Sequence, residues 1–138
     1  MRIFFFILSI AYIAVIFLFA GSPIVSALAR FNPHSLLHIP LYGILTFLLI
    51  FSFIPMTHLP VNKLKHINQT DQRNEKNQRN SFILSGLIAS IVGIADEIHQ
   101  AYVPGRDSSA TDVLLDLVGI ILVLFIFSWL LKTKRFAH

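Results

Sequence analysis

Ile3–Ala20, IFFFILSIAYIAVIFLFA, is an eighteen-residue run without a charged side chain. Three more apolar stretches follow, at about Leu36–Ile54, Phe82–Ala101 and Val113–Leu131. A helix crossing a hydrocarbon core about 30 Å thick needs about 20 such residues. Inside that core no water satisfies the backbone, so only helices and closed β-barrels are stable there. Four runs cannot close a barrel. The pattern predicts an all-α fold: one membrane domain over residues 1–138, an integral bundle of four transmembrane helices. Composition points the same way. Charged residues make up 13% of the chain, against about 25% in a soluble domain. With no cysteine, disulfides and Cys-ligated zinc are excluded. The first run exceeds the usual signal-peptide core and reads as an uncleaved helix.

Lys and Arg set the orientation. With the N-terminus in the cytoplasm, Arg2, the second connector (Lys63, Lys65, Arg73, Lys76, Arg79) and the tail (Lys132, Lys134, Arg135) lie inside, nine of eleven cations. Only Arg30 and Arg106 lie outside, so the expected topology is N-in/C-in. The net charge of +4 follows from this distribution and implies no nucleic-acid partner. The connector, residues 55–81, is rich in Asn, Gln and Lys and reads as a long flexible cytoplasmic loop between helices 2 and 3. The first and most direct partner is membrane lipid. Both a monomer and a homo-oligomer stay open.

The acids break the pattern. Asp71 and Glu75 lie in the inner connector, whereas Asp96, Glu97, Asp107, Asp112 and Asp116 all fall on the outer side. The bilayer rule concerns cations, so it leaves the acidic cluster unexplained. Asp96 and Gln100 are four apart and share a helix face, and Glu97 lies three before Gln100. Carboxylates at this depth must face a bundle interior, a wet cavity or the interface. If the third helix ended at Gly93, they would sit in headgroup water instead. Pro104-Gly105 suits the centre of a type II turn that presents Arg106. Arg106 then either binds a phosphate or carboxylate, or pairs with Glu97 or Asp107 to fasten the hairpin. Ser109-x-x-Asp112 reads as a capping box, which would account for Asp112 but not for Asp116, one turn deeper. Asp116 needs a partner, Arg106 or a histidine. Gly119 beside it would let another helix approach closely.

The second helix supplies the remaining parts. Asn32 is a candidate N-cap with Pro33 at the first helical position. His34, His38 and Tyr42 then share a face, and Pro40 is expected to kink the helix and free the Leu36 carbonyl. His34 and His38 with the acids have the residue types of a divalent-ion site, but spacing alone does not assign one, and no metal or cofactor is implied.

These residues resemble the VanZ-like family of bacterial membrane proteins. The family pattern has a His and then a Tyr in an early helix, here His38 and Tyr42. A DE..Q...PGR..S..D segment follows, here Asp96, Glu97, Gln100, Pro104, Gly105, Arg106, Ser109 and Asp112, and then a glycine, Gly119. Asp116 stands where the family often has Asn. The resemblance implies a multi-pass protein of the bacterial plasma membrane. Its site would comprise His38, Tyr42, Asp96, Glu97, Gln100, Arg106, Asp112 and Asp116, at the outer leaflet. The founding member is linked to teicoplanin resistance. The expected role is binding or modulating an envelope lipid headgroup or lipid-linked cell-wall precursor, with a contribution to lipoglycopeptide tolerance. Three alternatives stay open. One is a small enzyme acting on a phosphate- or sugar-bearing lipid, with Asp96 or Glu97 as base. The others are an ion-coupled carrier and a purely structural lock between hairpins.

Overall fold

Where apolar residues run on without a break, the backbone gains most by closing its hydrogen bonds within the segment, and the chain folds as helices. The computed structural model describes residues 1–20, 22, 36–54, 67–104 and 109–136. Among these residues the regular structure is four helices: α1 (Arg2–Phe19), α2 (His38–Phe53), α3 (Ile67–Gln100) and α4 (Ala110–Phe136). Three contain stretches long and apolar enough to cross a membrane: Arg2–Phe19, Lys76–Gln100 and Ala110–Leu131. At 16 residues, α2 is about 24 Å long, short of the roughly 30 Å of a hydrocarbon core.

The structure departs from the sequence reading most at the second connector and at Pro40. Residues 67–81 are helical rather than loop, so the described part of the second connector forms the first turns of α3. Gln, Arg, Lys and Glu are good helix formers, and adding a turn to an existing helix avoids the cost of nucleation. At 34 residues α3 is about 51 Å long, so its polar start projects well beyond its apolar part. Pro40 lies in the first turn of α2, where its missing N–H costs nothing, and it frees no carbonyl: the Leu36 oxygen accepts from the Ile39 amide at 3.2 Å. Asn32, Pro33 and His34 lie outside the described residues, as do Gly105, Arg106 and Asp107.

The helices alternate in direction. Arg2 Nε donates to the Ser52 carbonyl at 3.3 Å and Tyr12 donates to the Leu41 carbonyl at 3.1 Å, so α1 and α2 are antiparallel. Ser81 donates to the Phe53 carbonyl at one end while Tyr42 meets Asp96 at the other, so α2 and α3 are antiparallel too. Thus α2 and α4 run parallel, with His38 against Asp116 at one end and Phe47 and Phe51 against Phe127 further along. The two backbones come close at Gly119, where an added Cβ would overlap the Ile39 carbonyl oxygen and stand 3.1 Å from the Ile39 Cα. Nine of the sixteen residues of α2 are buried, which makes it the central helix, with α1, α3 and α4 packed around it.

The distribution of polarity is inverted relative to a soluble protein. Among the described residues the buried set holds eleven polar or charged residues and nine apolar ones, while Phe4, Leu18, Leu114, Ile121 and Phe125 are each more than 60% exposed. An apolar exterior of this kind is stable in lipid and not in water. The buried hydroxyls are satisfied locally: Ser9, Thr46, Ser52, Ser81 and Ser85 each donate to the carbonyl four residues earlier. Being small, they also let the helices pack closely.

Candidate functional site

One end of the bundle gathers the N-terminus of α2, the C-terminus of α3 and the N-terminus of α4. Helix α3 does not stop at Gly93. It continues to Gln100 and carries Asp96, Glu97 and Gln100 into the protein, where they are 2%, 6% and 2% exposed. Asp112 and Asp116 on α4 are 8% and 1% exposed, and His38 on α2 is 8% exposed. Four carboxylates therefore lie buried at one level, a costly arrangement unless each finds donors or counter-charge.

Two networks supply part of that. In the first, His38 Nδ1 and Asp116 Oδ1 are 2.8 Å apart. With Asp116 ionised, Nδ1–H donates and the imidazole presents Nε2. The His38 ring also lies parallel to that of Tyr42, 6.2 Å away. In the second, Asp96 Oδ2 accepts from Tyr42 Oη at 3.3 Å and from Gln100 Nε2 at 2.9 Å. Tyr42, fully buried, therefore joins α2 to α3 beside the histidine pair. Gly93 makes room for this: a Cβ there would stand 2.8 Å from Asp116 Oδ2 and 3.4 Å from the Tyr42 ring.

Glu97 is held differently. Its Oε2 accepts the Ser109 backbone N–H at 2.9 Å, while Ser109 Oγ accepts from the Thr111 amide at 3.1 Å. The start of α4 is thus capped reciprocally, but the acid comes from α3. The Ser109 amide is engaged by Glu97 and not by Asp112, which corrects the local capping-box reading. The Asp112 carboxylate is directed elsewhere. One donor atom each from His38, Glu97 and Asp112 lie within 4.8 Å of one another. Among the described residues, Glu97 Oε1 and Asp116 Oδ2 are buried and have no hydrogen-bond partner.

Of the eight residues singled out from the sequence, the structure brings together seven: His38, Tyr42, Asp96, Glu97, Gln100, Asp112 and Asp116. The eighth, Arg106, lies outside the described residues. Sequence reasoning missed Gly93 as a space-maker and the Ser109 amide as the anchor of Glu97. A glycine one turn before the acids was a signal for the first, but the second had none. His99 turns away from the cluster, its ring edge-on to Phe17 of α1 at 5.4 Å.

An open cleft of about 330 Å³ adjoins Glu97 between the end of α3 and the start of α4. Glu97 and Ser109 supply its polar side, and Ile94, Ile98, Ala101 and Val113 its apolar side. Ile94 and Ile98 are at least half exposed, so the cleft opens on the apolar exterior. No protein-family model, curated protein or solved structure matches this chain.

Proposed function

We propose that this chain is a multi-pass protein of the bacterial plasma membrane that binds the polar headgroup of an envelope lipid or lipid-linked cell-wall precursor at the outer face. On this reading all four helices span, with N-in/C-in topology. Water or bilayer thinning accommodates the short α2. Arg2 and the cationic first turns of α3 lie at the end away from the acidic cluster, as the positive-inside rule requires of a cluster facing out.

The observation that carries the reading is the meeting of a buried acidic cluster with an apolar cleft at Glu97. A lipid-anchored ligand has both chemistries, and its chain would lie along Ile94, Ile98 and Val113. The described side chains are rich in acceptors and favour ligands that donate: sugar hydroxyls, amides or an ammonium. Arg106 is the residue proposed to meet a phosphate. The VanZ-like resemblance, covering most of Asn32–Gly119, supports a role at the envelope surface that includes tolerance of lipoglycopeptides such as teicoplanin.

The His38–Asp116 pair favours a second reading, a small enzyme acting on a phosphate- or sugar-bearing lipid. A carboxylate that fixes an imidazole through Nδ1 leaves Nε2 as a general base. Native mass spectrometry of protein released from its own membrane tests the first reading. A lipid species should remain on the wild type and be lost from Asp96→Asn and Glu97→Gln. The same lipid complement on all three would sink it. Turnover of that lipid by the purified protein would establish the second.

A further inference from the structure

From the geometry of three side chains on three helices we infer a divalent transition-metal site of the zinc class, with His38, Glu97 and Asp112 as ligands. One donor atom from each already lies within 4.8 Å of the others, and all three residues are buried. Donors around a tetrahedral zinc with bonds of 2.0–2.2 Å stand about 3.4 Å apart, so a contraction of roughly 1.4 Å closes the site. A χ rotation of Asp112 and a small shift of His38 toward the anchored Glu97 would cover that distance.

Two further observations point to a cation. Glu97 is 94% buried, since only 6% of it is exposed, and its Oε1 has no hydrogen-bond partner among the described residues. The backbone amide of Ser109 occupies the other oxygen, so the side chain is fixed while one acceptor stays open. The histidine ring is also held from its other side. Asp116 engages Nδ1, which leaves the Nε2 lone pair available, the carboxylate–histidine arrangement that supports metal-ligating imidazoles. The set of one imidazole and two carboxylates suits zinc or manganese better than calcium or magnesium, which favour oxygen ligands alone. A bound cation also offsets the crowding of four buried acids. The inference rests on these contacts and holds whether or not a lipid binds in the neighbouring cleft.

Untagged protein in detergent, stripped with chelator and dialysed, is titrated with zinc alone while bound metal is measured by mass spectrometry. One zinc per chain is expected. Affinity should fall at least 100-fold in His38→Ala and Glu97→Gln, and 10- to 100-fold in Asp116→Asn, which acts through the histidine. His58→Ala/His66→Ala is the control for adventitious histidine binding and should leave the titration unchanged. X-ray absorption of the loaded wild type reads the ligands without any variant, so a variant that fails to fold leaves the test intact. A shell with one imidazole and two or more oxygens supports the site. No stoichiometric zinc, zinc lost only in the His58→Ala/His66→Ala control, or a shell of several imidazoles overturns it.

Discussion

His38 and Asp116 stand 78 residues apart in the chain and 2.8 Å apart in the structure, as a buried polar contact between two parallel helices. Removing one partner leaves the other buried without its counterpart. In soluble proteins that costs about 3–5 kcal/mol. In membranes interhelical hydrogen bonds average about 0.6 kcal/mol and reach about 1.7, because the unfolded reference state also finds partners. His38→Ala is therefore expected to lose about 1–3 kcal/mol in a reversible unfolding assay in bilayers or mixed micelles. His38→Ala/Asp116→Ala should lose clearly less than the two single losses added together. Simple additivity would mean that the pair is not coupled.

The contact of α2 with α4 at Gly119 predicts a sharp asymmetry between two glycines. Helix propensity alone favours Ala over Gly by about 1 kcal/mol. At Gly119 the new methyl overlaps the Ile39 carbonyl, which belongs to a helix backbone and cannot swing aside. Overpacking of this kind costs about 1–3 kcal/mol, so Gly119→Ala should lower the melting temperature. At Gly43 the nearest atom is the Val123 Cγ2 at 3.4 Å, an ordinary contact, and Gly43→Ala should be neutral or mildly stabilising.

Glu97 has two separable tasks. Its Oε2 caps α4, and its Oε1 faces the site. Glu97→Gln keeps an oxygen for the Ser109 amide, so thermal stability should change by less than about 0.5 kcal/mol while lipid retention is lost. Glu97→Ala also removes the cap and should cost about 1 kcal/mol more. Equal stability of the two variants would show that the cap contributes nothing.

Orientation is tested with single cysteines, since the chain has none of its own. Tyr102 is 82% exposed beside the acidic cluster, and Arg73 is exposed in the first turns of α3. In intact cells an impermeant maleimide should label Tyr102→Cys and should reach Arg73→Cys only after permeabilisation. The opposite pattern would place the site on the cytoplasmic side and remove the basis for an envelope ligand.

Much of the site is legible in the residue pattern. Asp96 and Gln100 share a face by spacing alone, and Gln100 Nε2 does donate to Asp96 at 2.9 Å. The need of Asp116 for a partner follows from its depth in an apolar run. That the partner is His38 does not, because nothing local distinguishes it from Arg106. The capping box fails for a related reason. Ser109-x-x-Asp112 satisfies a local rule, but an amide bonds whichever acceptor is nearest in space, and Glu97 arrives from another helix.

Hydropathy is a sum of single-residue transfer free energies, so the sequence by itself determined that four apolar segments would form helices; that three of the helices are long enough to cross a membrane, and that α2 stops at 16 residues, came from the structure. The sequence determined also which polar residues would be expensive to bury. Helix phase and pairing are different in kind, since they depend on how side chains on separate elements interlock. Only the tertiary structure decided that α2 lies at the centre and that His38, Glu97 and Asp112 converge. Each of these rests on contacts between positions far apart in the chain, whose free energy no local pattern contains.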